Sequence, residues 1–495
     1  MRQGRPGRAG GRWSAHAARE VPHHRRDGGV SGSNSSTSTS TGSNGAAPDG
    51  AELLAIADRV VASAVPGEQV EAYVSRGGET EIRVYQGEVE HFVSAQAEGI
   101  GIRVIRDGRT GFAYAGTLDP ASIDEVLADA RDNLTFGTVD EWAGLAEPDH
   151  VPVTDQVLWN DELAGFATDR KIELARELER LSTSFDPRVR VDDANYSDAS
   201  GEAAVATTTG IRTWGRENGC YVSVSTLADE GGETQSGFGF SVGRSPTEFD
   251  LEKAARDASD RATRLLGATK PASRRLTIVL DPFVTAQFLA VISATLNGEA
   301  VVKGRSLFRD RLGEEVAAPI FTLVDDPTDP RAYTSTEVDG EGLAARRNVL
   351  IDDGVLRQFS HASYSARRAG TTSTGNAVRG GFRGTPGVGA LALQLAPGER
   401  TQAEIVADID DGLLVQSVSG IHSGVNPISG DFSTGAAGLL ISGGEVGAPV
   451  REFTIASTLQ RMLNDVIEVG GDVDWLPMRA AGVSLVIRDV TMSGA

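Results

Sequence analysis

Histidine and cysteine, the residues most often used for metal binding and covalent catalysis, are scarce in this chain. Its seven histidines are His16, His23, His24, His91, His150, His361 and His422. No two have the H-x-x-x-H or H-E-x-x-H spacing that sets both imidazoles on one turn of a helix. His23 and His24 are adjacent, and adjacent side chains leave a helix in different directions. An imidazole-based zinc site would have to be assembled over long range from His91, His150, His361 and His422. Cys220 is the only cysteine, which excludes an intrachain disulfide and a multi-cysteine zinc site. Within NGCYVSVS it reads as a buried, inert thiol. The acidic steps Asp192-Asp193, Asp325-Asp326, Asp352-Asp353 and Asp410-Asp411 leave a carboxylate site for Mg²⁺ or Ca²⁺ open, but read first as turn and solvated-edge residues.

The densest run of reactive types is GIHSGVNPISGDFSTGAAG (420–438), which sets His422, Ser423, Asn426, Ser429, Asp431 and Ser433 among glycines. The chemical reading is a Ser/His/Asp centre or an oxyanion nest. Against it, His422 and Ser423 are sequence neighbours, and no G-x-S-x-G elbow follows a strand. The structural reading is a turn-rich loop whose hydroxyls cap backbone groups. That reading is preferred over catalysis, while ligand contact stays open. The glycine-rich pieces GFGFSVG (237–243) and GGFRGTPGVGA (380–390) lack the strand-to-helix setting or the G-K-[ST] ending of a phosphate loop. Both are expected to be hairpin or bulge glycines, and phosphate binding is not expected.

The elements that would position these residues follow from pattern. A length of 495 residues corresponds to roughly three domains. The formal charge of −22 repels phosphate backbones, so no nucleic-acid partner is expected. The charge is uneven, since residues 1–30 hold seven arginines against Glu20 and Asp27. The stretch SGSNSSTSTSTGSNGAAPDG (31–50) cannot bury a core, so 1–50 is expected to be a disordered tail. Val30 is a candidate initiator if its codon is GTG. No run has the apolar h-region of a signal peptide or the ~20 apolar residues of a membrane span. No membrane contact is expected, and a reducing cytoplasm fits the single thiol.

Helical periodicity marks 51–65, 169–184 and 250–268, with a further helix near 283–297 and one at 454–469. Asp119 as N-cap with Pro120 at N1 opens a helix to about residue 134. Asp107-Gly108 and Asp353-Gly354 are hairpin turns between apolar runs. Strands are expected at about 188–198, 202–214 and 219–244. The fold class is α+β. N-terminal α/β units with a mixed or antiparallel sheet, at 51–150 and 151–271, precede a β-rich domain at 272–495.

The segments GEVEHFVSAQAEGIGIRVIRDGRTGFAYAG, LDPFVTAQFL, RRNVLIDDGVLRQFSHASYSARRAG, TSTGNAVRG, GVNPISGDFSTGAAGLLISGGEV and TIASTLQRMLNDVIEVGGD resemble the TldD/PmbA metallopeptidase family of bacteria and archaea. Together they cover most of 70–495 in the family's order. The resemblance implies an N-terminal α/β region and a C-terminal β-rich domain. In the family's TldD type, a C-terminal-domain helix carries H-E-x-x-x-H and a later cysteine completes the zinc ligands. The matching helix here reads TAQFLAVISATLNGEA (285–300), with no histidine at Ala290 to Thr295 and no later cysteine. Leu289, Ile292 and Leu296 fall on one face of that helix, which therefore reads as a packing element.

The chain is therefore similar to the other subunit type, PmbA (or TldE), and the resemblance implies a zinc-free subunit of a heteromeric peptidase that degrades or matures unfolded cytoplasmic peptides. No cofactor is expected in this chain. Zinc is expected in a TldD-like partner subunit. Thr374, Gly375, Asn376, His422, Asn426 and Asp431 are the candidates for substrate-cleft or partner contact, and no catalytic or metal-ligating residue is assigned. Two alternatives are a self-sufficient hydrolase using 420–438 and a non-catalytic peptide-binding protein. A chain with H-E-x-x-x-H encoded nearby would favour the first reading over both.

Overall fold

The structure, a computed structural model, describes residues 50–495. The expected tail at 1–49 lies outside them. The first half of the described chain is built on one antiparallel sheet of order β3-β2-β1-β4-β5-β6. Its strands are β1 (Gln69–Tyr85), β2 (Glu88–Arg106), β3 (Arg109–Ala115), β4 (Val189–Thr207), β5 (Arg212–Glu230) and β6 (Glu233–Gly243). The helices are α1 (Ala51–Ala62), α2 (Pro120–Asn133), the short α3 (Asp161–Ala164), α4 (Thr168–Ser182) and α5 (Leu251–Thr263). Even-numbered strand residues such as Val70, Ala72, Val74, Ile100 and Ile102 bury against α1 and α2. Ile82, Tyr196, Val222 and Val224 bury against α4 and α5. One face thus carries the helices, and the other is left for the C-terminal unit.

The units expected at 51–150 and 151–271 share this sheet, because β1 pairs with β4 from Glu71↔Thr207 to Val84↔Ala194. Nothing local in either strand specifies so remote a partner. The strands expected at 188–198 and 202–214 are not separate. β4 runs unbroken through Ser200-Gly201, and the turn comes at Gly210 (φ 102°). The run expected at 219–244 is broken by the Gly231-Gly232 turn, both residues having positive φ. The glycines of GFGFSVG are neither hairpin nor bulge glycines. A Cβ on Gly237 would stand 2.0 Å from the Ala258 carbonyl, and one on Gly239 1.9 Å from that of Ala254. They let α5 lie directly on β6.

The C-terminal unit is a second six-stranded sheet of order β16-β15-β14-β7-β18-β17. Its strands are β7 (Arg274–Leu280), β14 (Asp411–Ser419), β15 (Asp431–Ser442), β16 (Glu445–Thr458), β17 (Val466–Val469) and β18 (Leu485–Ser493). Pairing of β16 with β18 curls this sheet back on itself. A smaller sheet joins β8 (Leu323–Asp325), β9 (Asn348–Asp352), β10 (Val355–Leu356) and β13 (Leu393–Leu395). β11 (Ala377–Val378) and β12 (Gly387–Val388) form a hairpin whose turn and second strand come from GGFRGTPGVGA. Helices α6 (Pro282–Thr295), α7 (Gly298–Val302), α8 (Ser363–Ala369), α9 (Gln402–Val406), α10 (Ile421–Gly424) and α11 (Leu459–Asn464) complete it. Among the described residues no helix is long and apolar enough to cross a membrane.

The helix expected at 454–469 is instead a strand, a short helix and a strand. Thr454, Ile455 and Ala456 pair with both β15 and β18. The Thr458 hydroxyl caps α11 by accepting from the Arg461 amide at 3.3 Å, and the chain returns to extended structure at Val466. A helical apolar period was present, but β-branched residues at both ends had strand partners waiting, and pairing won. The hairpins at Asp107-Gly108 and Asp353-Gly354 form with positive φ at both turn residues. Asp119 caps α2 through the amides of Ala121 and Ser122, each at 3.1 Å.

Candidate functional site

Helix α6 lies where the resemblance places the zinc motif. Asp281 caps it, accepting from the Phe283 amide at 3.1 Å, and Pro282 takes the first turn. Leu289, Ile292 and Leu296 are each 0 % exposed, so the expected packing face exists. At the three motif positions, Ala290 is exposed, Val291 is half-buried and Thr295 is buried. The Thr295 hydroxyl donates to its own helix at Ile292 O, 2.6 Å away. Beside α6 is a pocket of only about 10 Å³, lined by apolar residues that include Leu280, Val284, Phe288, Phe432 and Met462. These side chains offer no imidazole, thiolate or carboxylate, so they do not fit a zinc ion. Among the described residues, no three His, Cys, Asp or Glu side chains come together to hold a metal.

Thr374, Gly375 and Asn376 sit in a buried polar network. The Asn376 amide donates to Asp325 Oδ2 at 2.5 Å and to the Gly389 carbonyl at 3.2 Å. Its oxygen accepts from the Thr374 hydroxyl at 2.6 Å and from Asn348 Nδ2 at 3.2 Å. Asp325 also accepts from the amides of Leu391 and Ala392. Burial raises its carboxyl above the ordinary range, and the bonds from Ala392 and Asn376 oppose that rise. Gly375 has φ 70°, and a Cβ there would stand 2.6 Å from the Ala344 carbonyl. The side-chain donors and acceptors of Thr374 and Asn376 are turned on the protein itself.

His422, Asn426 and Asp431 are exposed. The Asn426 side chain accepts from the amides of Ile428 (2.9 Å) and Ser429 (3.2 Å), and the Ser429 hydroxyl donates to Asp431 at 2.7 Å. The Ser423 hydroxyl donates to the Gly420 carbonyl at 3.2 Å. No Ser/His/Asp relay forms in this loop. Among the described residues, no hydrogen bond or ion pair joins the 374–376 triplet to the 422–431 loop.

Pattern reading missed the seam between the first sheet and the C-terminal unit. There Glu71 of β1 accepts from Arg103 of β2 at 2.7 Å and from Arg379 at 2.6 Å. All three are buried. Burial alone would raise the Glu71 carboxyl, but the two guanidiniums outweigh it and the net shift is downward. The Arg379 guanidinium also lies over the Tyr73 ring, 4.6 Å from its centroid. Nearby, buried Asp339 accepts from the amides of Glu341, Leu343 and Ala377. Burial and then the Glu341 charge push its carboxyl up to about 7. Arg367 of α8 donates to the carbonyls of Trp142, Gly144 and Leu145, fastening the connector that leaves the first sheet.

His361 Nδ1 and the Ser365 hydroxyl are 3.0 Å apart. This pair is no nucleophilic centre, because Ser365 is 0 % exposed and its hydroxyl also reaches the Ala362 carbonyl. Burial pushes the His361 imidazole down to about 4, so the ring is neutral at physiological pH.

Three domains described as PmbA/TldA metallopeptidase domain 1, central domain and C-terminal domain match residues 70–134, 161–266 and 273–494. The chain belongs to the PmbA/TldD metallopeptidase family. The Escherichia coli O157:H7 metalloprotease PmbA is 27% identical over 410 residues, 82% of this chain and 88% of that protein. A Haemophilus influenzae metalloprotease TldD homolog is 26% identical over 422 residues, 80% of this chain and 86% of that one. The crystal structure of TldE from Thermococcus kodakarensis has the same fold, with a TM-score of 0.81 at 24% identity over 90% of this chain and 99% of that one. Overall identity to a PmbA-named and a TldD-named relative is nearly equal. Overall identity therefore does not distinguish a PmbA-like from a TldD-like chain.

Proposed function

We propose that this chain is the zinc-free, PmbA/TldE-like subunit of a heteromeric TldD/PmbA-type metallopeptidase that acts on unfolded cytoplasmic peptides. The observation that carries this reading is the chemistry of α6, where Ala290, Val291 and Thr295 stand at the motif positions and the adjoining pocket is apolar. Zinc and the hydrolytic step belong to a TldD-like partner. This chain contributes a rigid wall. Its seam residues lock the first sheet against the C-terminal unit, leaving small residues such as Ser197, Ala199 and Gly201 half-buried on the face away from the helices. Such a surface has room for an extended peptide backbone.

The test is elemental analysis and a peptidase assay on an unfolded protein substrate, with the chain alone and co-purified with an H-E-x-x-x-H-bearing family chain from the same genome. The expected result is no stoichiometric zinc and no cleavage alone, with zinc and cleavage in the complex. About one zinc per chain in the isolated protein, removable with loss of cleavage, would overturn the reading.

A further inference from the structure

The long arm formed by β1 and β2 ends in an open edge. β2 pairs with β3 only from Ile100 to Arg106, so Glu88–Glu98 has β1 as its sole strand neighbour among the described residues. Within this stretch every residue except Val93 is exposed, including Phe92 at 47 % and Val89 at 36 %. Every second residue turns its amide and carbonyl away from β1. Eleven residues span about 36 Å, long for an unpartnered edge. The usual guards, proline and lysine, are absent from 88–98. The one irregularity is a bulge opposite Arg83–Val84. An edge like this is a template for strand addition.

Its charges select the occupant. Glu88, Glu90 and Glu98 are exposed along the edge; Glu90 pairs with Arg83 at 3.5 Å, and Glu98 stands opposite Arg76, whose ion pairs go to Glu52 and Glu202. A second copy pairing in parallel register would set each glutamate beside its twin. A full-length antiparallel pair would set Glu88 against Glu98. Like charges directly opposite destabilise strand pairs, and a net charge of −22 on each copy adds repulsion. We infer that the Glu88–Glu98 edge receives a strand from the partner subunit, with lysine or arginine opposite Glu88 and Glu98 and an apolar side chain against Phe92. This rests on the heteromeric reading above.

The test uses the full chain, the H-E-x-x-x-H-bearing family chain from the same genome, sedimentation velocity and hydrogen exchange. In the complex, amides of 88–98 should exchange at least tenfold more slowly than in the free chain. The Glu88→Lys/Glu98→Lys double variant, altered only at exposed positions, should keep its circular dichroism and bind the partner at least tenfold more weakly. Formation of the complex with no protection at 88–98, or with unchanged affinity of the variant, overturns the edge proposal and leaves the heteromeric reading intact. Failure of the wild-type chains to associate overturns both. Self-association of this chain alone with 88–98 protected shows that the occupant is a second copy, and also overturns the proposal.

Discussion

The surroundings of α6 and the seam around Glu71 use opposite materials. Around α6, Leu289, Ile292, Phe288 and Phe432 make a hydrocarbon core, at the place where the resemblance puts a metal. At the seam, Glu71, Arg103, Arg379, Asp339 and Glu341 are buried together with backbone partners. The side chains packed against α6 are thus apolar, whereas the cluster around Glu71 uses buried charge to join two units. Buried ions hold only while every partner is present, so a seam of this kind fixes relative placement more sharply than an apolar contact. The hydrocarbon around α6 tolerates reshaping but cannot accept an ion.

Breaking the seam should have the largest effect. Arg379→Ala leaves the Glu71 carboxylate buried with one of its two cations, and the expected loss is about 3–5 kcal/mol, read by urea denaturation. A loss below about 1 kcal/mol would show that the seam is not held by charge. Truncating Leu289 to Ala should cost about 2–5 kcal/mol through lost burial and the cavity left behind. Comparison with a surface variant such as Ala290→Ser, expected to change stability by less than about 0.5 kcal/mol, would sharpen the contrast between the two sides of α6. Gly239→Ala pushes a methyl into the Ala254 carbonyl and should cost about 1–3 kcal/mol as α5 is forced off β6. An unchanged melting temperature would contradict that close approach.

The smallest expected effect is one of slope, because two buried groups of the C-terminal unit, Asp339 and His361, oppose each other with pH. Asp339 is held up to about 7, so the folded chain keeps that proton longer than the unfolded one. Its contribution is full below the ordinary carboxyl pKa and is lost as pH rises through 7. His361 is pushed down to about 4. Its contribution is full above the ordinary imidazole pKa and is lost as pH falls through 4. Between about pH 4.5 and 6.5 the two slopes partly cancel. Asp339→Asn should make stability rise more steeply with pH across that window, and His361→Gln should make it fall. Denaturation curves at several pH values check both signs. Parallel profiles for the two variants would rule out this opposition.

Part of this architecture was legible locally. The Asp119-Pro120 start of α2 and the two Asp-Gly hairpins depend on residues adjacent in sequence, and each formed as read. The same Asp-Pro signature at Asp281-Pro282 starts α6, slightly before the expected position. The apolar face of α6 also followed from spacing alone. For the candidate contact residues, sequence composition marked two unusual stretches, and the structure satisfies one internally in a buried network and the other in exposed turns.

What the sequence by itself determined is what a few consecutive residues impose: turns, caps, helix faces, and the lack of ligand types on α6. What only the tertiary structure decided is which remote segments meet. Glu71 and Arg103 stand at alternate positions in apolar strands, a pattern that reads as a solvent face. They are buried because Arg379, 308 residues from Glu71 in the chain, closes over them. The pairing of β1 with β4, the glycines beneath α5 and the strand at 454–458 share that origin. Each is set by which partner surface is available once the core has formed, and local propensity yields to it because burial and complete hydrogen bonding outweigh the small preferences of single residues.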